Sequence, residues 1–185
     1  MKLNNLEFNL NDFSSEMFKL KNEKHFDFLV TIIGEDFGDE GLGCIYILEN
    51  TKSHERASVK ALTASREDAF LPTISHLWKA AEMLEREVFD FLGIKFLGHP
   101  DMRRLFLRSD FVGYPLRKDF DMDPEKNKAP MFDDPEPDYT LEYSLDAEGK
   151  LVATKKLLFT DDDYVINIGP QHPATPGVLR LQTIL

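Results

Sequence analysis

The chain carries one cysteine, Cys44, among 185 residues. A disulfide framework is therefore excluded, and so is an iron–sulfur cluster held by this chain alone, since such clusters draw on four ligands. Long apolar runs are also missing, and a bilayer-spanning helix needs about 20 consecutive apolar residues. The opening residues, MKLNNLEFNLNDF, lack the apolar stretch of a signal peptide, which points to the cytoplasm. Basic charge is scarce: 22 Lys and Arg face 33 Asp and Glu, a formal charge of −11. That disfavours nucleic acid as a partner, because phosphate binding needs a basic surface. Gly93, Gly98 and Gly113 stand too far apart for a phosphate-cradling loop. What is present is ordinary for a globular protein, with 42% hydrophobic and 30% charged residues in a length that suits one domain with a tail.

The pattern predicts an α+β fold, an antiparallel sheet packed by one long amphipathic helix and a short N-terminal helix, followed by an extended C-terminal tail. In residues 11–23, Phe13, Met17 and Leu20 share one helical face. Residues 26–33, FDFLVTII, are β-branched and aromatic as a strand requires. The Gly- and Asp-rich GEDFGDEGLG then suits a hairpin loop, with further strands at Cys44–Leu48 and Arg56–Thr63. From Leu71 to Gly93, the residues Ile74, Leu77, Trp78, Ala81, Leu84, Val88 and Phe91 recur at three- and four-residue steps. Pro72 suits the first turn of that helix and Gly93 its left-handed end. Glu82 and Arg86, four apart, are placed to pair on its exposed face.

Residues 94–120 form a basic stretch in an acidic chain, and residues 121–163 reverse the sign and add Pro124, Pro130, Pro135 and Pro137. The reading is a domain at 1–120, an acidic, proline-rich extended linker at 121–163 and a separate apolar segment at 164–185. Phe132, Tyr139, Leu141 and Tyr143 are scattered along the linker as docking points.

Few residues suggest chemistry. Glu85, Glu87 and Asp90 lie within two helical turns, but their spacing makes no carboxylate dyad, and a solvated or salt-bridged face is the reading. The arginines at 103, 104, 108 and 117 are near enough in sequence to pair with them. Gly98-His99-Pro100-Asp101 reads as a turn with His99 hydrogen-bonding locally, since a lone histidine makes a poor zinc site. Cys44 and Trp78 read as core. No nucleophile, base and oxyanion hole come together, so catalytic and metal sites are assigned to no residue. The candidate site is an interface, made of Glu85, Glu87, Asp90, His99, Arg103, Arg104, Arg117 and Lys118, because arginine is favoured at protein interfaces.

Residues 76–120, HLWKAAEMLEREVFDFLGIKFLGHPDMRRLFLRSDFVGYPLRKDF, resemble the 30 kDa subunit of respiratory complex I, the C subunit of the bacterial complex. The matching positions include Trp78, Ala81, Glu85-Arg86-Glu87, Asp90, Gly93-Ile94, Gly98 to Asp101, Arg103-Arg104 and Pro115 to Phe120. Leu92 is a small departure. Residues 164–181, with NIGPQHPAT followed by GVLRL, resemble the opening hairpin of the 49 kDa, or D, subunit. Two signatures in this order imply a C–D fusion of which this chain is the first part. His172 matches the first histidine of that pattern. The second, expected to approach quinone, is replaced by Pro176, which has no side-chain donor, so quinone binding is not carried over.

The resemblance implies a non-catalytic structural subunit of a proton-translocating NADH:quinone oxidoreductase, on the cytoplasmic side of the bacterial inner membrane. It implies contact with the D and I subunits and their neighbours, and membrane association only through the complex. FMN, iron–sulfur clusters and quinone would belong to the complex and not to this chain. The alternative is the equivalent small subunit of a related membrane-bound hydrogenase or ferredoxin-linked oxidoreductase.

Overall fold

A computed structural model describes residues 5–8, 10–109, 111–121, 123 and 139–158, with the backbone alone at 3–4, 165–168 and 181–184. Strand β1 (Leu3–Glu7) leads into helix α1 (Leu10–Asn22), whose Phe13, Met17 and Leu20 are buried as their spacing requires. Strands β2 (Phe28–Asp36), β3 (Leu42–Asn50) and β4 (Glu55–Leu62) follow. The four strands form one sheet in the order β1-β4-β3-β2. β2, β3 and β4 are antiparallel neighbours, in agreement with the sequence pattern. β1 has no signature in that pattern, and it lies parallel to β4, so the sheet is mixed. Its LNNLE sequence is short and polar, and it forms a strand because α1 carries the chain across to an open edge.

The inward face of the sheet is apolar along β2, β3 and β4: Leu29 and Ile32 on β2, Leu42, Cys44, Tyr46 and Leu48 on β3, and Ala57, Val59 and Ala61 on β4. The outward rows mix charge with β-branched residues, for example Lys60, Ile45 and Ile33 abreast. This alternation is what one buried face dictates.

The long helix expected from Leu71 to Gly93 divides in two. Phe70–Pro72 is a strand, β5, and the helix proper, α2, is Ala81–Leu92. Leu71 pairs with Phe96 in a parallel ladder to strand β6 (Lys95–Leu97). Between β5 and α2 the chain makes isolated turns, with the Trp78 amide donating to the Ile74 carbonyl at 2.9 Å and Ala81 to Trp78 at 2.9 Å. Those turns keep the phase of Ile74, Trp78 and Ala81, all buried, without a continuous helix. Gly93 ends α2 at φ +71°, the left-handed residue its position predicts, with its amide bonded to the Phe89 carbonyl. α2 packs on β2 at Gly34, where an added Cβ would come within 2.6 Å of Leu92 Cδ1.

The acidic segment expected to be an extended linker contains a hairpin, β7 (Tyr139–Leu145) and β8 (Leu151–Leu157). Its turn, DAEGK, uses Gly149 at φ +78° and the Asp146 carboxylate, which accepts from the Glu148 and Lys150 amides. β7 is fixed to the domain: Tyr143 is buried against Phe89, and Thr140 is buried. The Gly98 amide donates to the Tyr143 carbonyl at 3.3 Å. Tyr139, Leu141 and Tyr143 are thus not independent docking points, because alternation in a strand brings them to one face. Phe132, like Pro176 and His172, lies outside the described residues. β9 (Val165–Ile168) and β10 (Leu181–Ile184) pair antiparallel, the hairpin implied by the resemblance to the 49 kDa subunit.

Candidate functional site

The loop from Gly98 to Phe120 is wrapped around α2 and held by side chains of that helix. Asp90 is fully buried. Its Oδ2 accepts the amides of Leu105 (3.1 Å), Phe106 (2.6 Å) and Leu107 (2.9 Å), and its Oδ1 accepts Arg104 Nη1 at 3.0 Å. The same Arg104 nitrogen donates to the Asp90 carbonyl, and Nη2 donates to the carbonyls of Phe111 and Gly113. The guanidinium also lies over the rings of Phe111 and Tyr114. One ion pair thus fixes both ends of the stretch from Leu105 to Gly113, whose described residues form no helix or strand.

Arg86 repeats this on the preceding turn. Its Nε and Nη2 donate to the carbonyls of Arg103 and Arg104 at 3.0 and 2.9 Å. Asp101 lies 3.6 Å from Arg86 Nη1 and takes both arms of Arg103, at 2.9 and 2.8 Å. Burial alone would raise the Asp101 carboxyl, but the two guanidinium groups more than offset it and hold the value down to about 2. Glu82 pairs with Lys79 and not with Arg86. Arg117 donates to the Leu92 carbonyl at 2.6 Å and stacks on Tyr114, while the Lys118 amide donates to Asp36. Asp36, at the end of β2, also takes both arms of Arg66 at 2.8 and 2.6 Å. No local pattern singles out Arg66, because its partners lie 30 and 53 residues away.

Glu85 and Asp90 are therefore not a solvated face. Each is 0% exposed, and His99 is 2% exposed. The helix is buried on two sides, by the sheet and by the loop it organises, so its second stripe is polar yet internal. Of the eight residues of the expected interface, Glu87 and Lys118 are exposed, Arg103, Arg104 and Arg117 are partly covered, and the other three are enclosed. His99 does bond locally, its Nδ1 accepting from the Asp101 amide at 2.9 Å, and its Nε2 reaches the Glu82 carbonyl at 3.0 Å. Among the described residues no group of three or more His, Cys, Asp or Glu side chains is arranged to hold a metal ion.

The ordered loop leaves large apolar side chains outside, interspersed with charged ones such as Arg108, Lys118 and Asp119. Phe106 is 66% exposed and stacks on Phe91 at 5.8 Å, and Leu116 and Val112 are also exposed. Leu116 and Phe91 border a cleft of about 270 Å³ whose floor is Ile33, Gly34, Val88 and Leu92.

Residues 7–126 match the family model of the respiratory-chain NADH dehydrogenase, 30 kDa subunit. The chain belongs to this family. It is 49% identical over 170 residues to the NADH-quinone oxidoreductase C/D subunit of Phocaeicola vulgatus, a match covering 92% of this chain and 32% of that protein. The C/D subunit of Bacteroides fragilis is 48% identical over 181 residues, 92% of this chain and 34% of that protein. The C subunit of NADH-quinone oxidoreductase from Moorella thermoacetica is 39% identical over 110 residues, 59% of this chain and 74% of that protein. The chain spans about a third of the length of the C/D relatives it matches, and that match runs past the 30 kDa region. Among solved structures, a chain of the membrane-bound sulfane sulfur reductase, an archaeal respiratory membrane complex, superposes with a TM-score of 0.61 at 28% identity, covering 74% of this chain and 84% of that one. No helix among the described residues is long and apolar enough to cross a membrane.

Proposed function

We propose that this chain is a non-catalytic structural subunit in the peripheral arm of a proton-translocating NADH:quinone oxidoreductase. In this reading residues 1–120 brace a 49 kDa, D-type module that the fused chain supplies, and the I subunit and its neighbours complete the contact. FMN, iron–sulfur clusters and quinone are then held elsewhere in the complex, on the cytoplasmic side of the bacterial inner membrane. The acidic segment 121–163 connects the two parts and raises the effective concentration of one beside the other.

The observation that carries this reading is where the charged motif is used. Asp90 and Arg86 on α2 hold loop backbone, Arg104 on the loop holds both loop carbonyls and the Asp90 carbonyl of α2, and Arg117 holds the Leu92 carbonyl of α2. These groups tie loop and helix together, which is the work of a scaffold. The loop so fixed presents Phe106, Val112 and Leu116 to the outside, and large apolar groups held on rigid backbone suit a permanent protein contact. Glu87, Arg103 and Lys118 would form the polar rim.

The test is purification of the tagged complex from membranes with Phe106→Asp and Leu116→Asp together. The expected result is a soluble, folded chain that no longer recovers flavin and iron–sulfur subunits. Full recovery of those subunits with the double variant would overturn the reading.

A second reading keeps the same scaffold in a related membrane-bound hydrogenase or ferredoxin-linked complex; its support is only that a chain of a different respiratory membrane complex, the archaeal sulfane sulfur reductase, shares this fold. Recovery of the tagged complex without an NADH-binding subunit would select it.

A further inference from the structure

Two buried carboxylates, Glu85 and Asp90, stand on α2, and they are treated in opposite ways. Asp90 receives three amides and a guanidinium. Glu85 receives two donors: the Ile74 amide on Oε1 at 2.8 Å and the Thr73 hydroxyl on Oε2 at 2.6 Å. A carboxylate has about four acceptor sites, and one that is wholly buried needs them met or a counter-charge nearby.

The groups facing Glu85 do not supply that charge. From β3 come the Cys44 thiol and the Tyr46 hydroxyl, both buried, and burial pushes each of them above its ordinary range, so both stay neutral. Among the described residues the Tyr46 hydroxyl finds no nitrogen or oxygen partner, only the Cys44 thiol beside it. From the loop after β6 comes His99, whose Nε2 is 3.8 Å from Oε2. Since His99 Nδ1 accepts the Asp101 amide, the ring proton sits on Nε2 and is given to the Glu82 carbonyl. His99 is thus a neutral imidazole, and its burial lowers its basicity further. On α2 itself, the Glu82 carboxylate is paired with Lys79 and adds a like charge, and Arg86 is committed to Asp101 and to loop carbonyls. From the β5–α2 connection come the Ile74 amide and hydroxyls, none of them charged.

Those hydroxyls form a line. Thr73 Oγ1 lies 2.6 Å from Glu85 Oε2 and 2.9 Å from the Ser75 hydroxyl, and Ser75 is partly exposed. The Ser75 amide meanwhile donates to Thr73 Oγ1 at 3.1 Å, which fixes its place between them. Thr73 has one proton and can give it to only one neighbour at a time. With Glu85 ionised, Thr73 donates to it. With Glu85 protonated, the acid O–H donates to Thr73, and Thr73 turns its proton to Ser75.

We infer that Glu85 is a buried proton-binding site, connected to the surface by the Thr73 and Ser75 hydroxyls, whose two protonation states reverse the hydrogen bonds of the β5–α2 connection. The proton leaving Glu85 passes to Thr73 as the Thr73 proton passes to Ser75 and the Ser75 proton to water, so the count of protons on the two hydroxyls is unchanged. Burial, as the largest cause, raises the Glu85 carboxyl to about 7, and the Ile74 and Thr73 bonds oppose it. This site stands independently of the complex proposed above, because it uses only this chain's interior.

The experiment is a pH titration from 5 to 9 of the full chain labelled with ¹³C at the glutamate carboxyl and ¹⁵N at isoleucine. The expected result is one glutamate carboxyl, absent in Glu85→Gln, that titrates with a midpoint near 7, with the Ile74 amide following the same curve. His99→Gln should leave both curves in place, and Thr73→Val, which removes a donor to the ionised form, should move the midpoint upward. A Glu85 signal that titrates in the ordinary range near 4.3 or not at all, or a curve that disappears in His99→Gln, would overturn the inference. Were Glu85→Gln to fail to fold, the wild-type carboxyl signals with the His99 and Thr73 variants still decide the outcome.

Discussion

Asp90 Oδ1 and Arg104 Nη1 meet at 3.0 Å across the boundary between α2 and the loop that follows β6. The carboxylate is fully buried and the guanidinium nearly so, with side-chain exposures of 0% and 13%. Because the same two residues also hold the amides of Leu105 to Leu107 and the carbonyls of Phe111 and Gly113, this one contact sets the course of the loop on which the proposed interface stands.

Asp90→Asn sets an amide N–H₂ against either the backbone N–H donors or the Arg104 guanidinium, and it leaves Arg104 without its counter-charge. The expected loss of stability is about 3–5 kcal/mol, the range for breaking a buried pair by removing one partner. Urea unfolding checks it. Arg103→Glu, by contrast, changes a partly exposed residue whose main fork is to Asp101, and it should cost far less.

Trp78 joins two distant segments. Its ring is 4% exposed, and its Nε1 donates to the Phe26 carbonyl at 3.2 Å, with Lys21 over the ring face. Trp78→Ala should destabilise by about 3–5 kcal/mol. Trp78→Phe keeps much of the ring volume and removes the N–H, so its cost includes about 1–3 kcal/mol for the buried carbonyl left unpaired. Chemical denaturation of both variants separates packing from the hydrogen bond.

Gly93 has φ +71°, and a Cβ there would overlap the Tyr114 ring that carries Arg104 and Arg117 on its faces. Gly93→Ala therefore adds about 1–2 kcal/mol of left-handed backbone strain to the displacement of that ring. The expected signature is a fall in Tm together with faster hydrogen exchange at the Leu116 amide, which bonds to the Phe91 carbonyl.

Thr140 tests the seating of the β7–β8 hairpin. Its buried hydroxyl accepts the Met102 amide at 3.0 Å, and Thr140→Val removes that acceptor at nearly constant shape. A loss of about 1–3 kcal/mol is expected for the amide left unpaired. Exchange protection at Met102 and Gly98 should fall together if the hairpin lifts as a unit.

Asp36 gives the acid limb of the stability curve. The Arg66 fork holds its carboxyl far below the usual carboxylate range, burial opposes this, and the Lys118 and Gly38 amides add to it. A depressed native value means that the unfolded chain binds the proton more readily. The stabilisation is therefore complete above the unfolded value of about 3.9 and is lost as pH falls toward the native one. Asp36→Asn should lower stability at pH 7 and flatten the decline below about pH 4. Thermal unfolding between acid and neutral pH checks both.

Local pattern alone settled several features. α1 appears where Phe13, Met17 and Leu20 share a face, β2 and β3 appear where β-branched and aromatic residues cluster, β4 appears where RASVKALT alternates, and Gly93 ends α2 as its place after the apolar stripe requires. Each of these depends on near neighbours in the chain, and the repeat of side-chain direction records them directly. The motif around Glu85 to Lys118 was legible as a unit through its family likeness, which the 30 kDa family match supports.

Tertiary structure decided the rest. β5 takes Leu71 out of the helix because Phe96, far along the chain, offers a parallel partner, and β1 becomes a strand because β4 offers an edge. Tyr143 turns inward because β6 and Phe89 lie beneath it. The burial of Glu85 and Asp90 is the clearest case. Charge placed them on the wet side of an amphipathic helix, but the loop that this helix organises closes over Asp90, while Thr73 and Ile74 of the β5–α2 connection, β3 and His99 enclose Glu85. Sequence periodicity reports one buried face of a helix; a second face, covered by irregular backbone and satisfied by hydrogen bonds, leaves no apolar repeat to read.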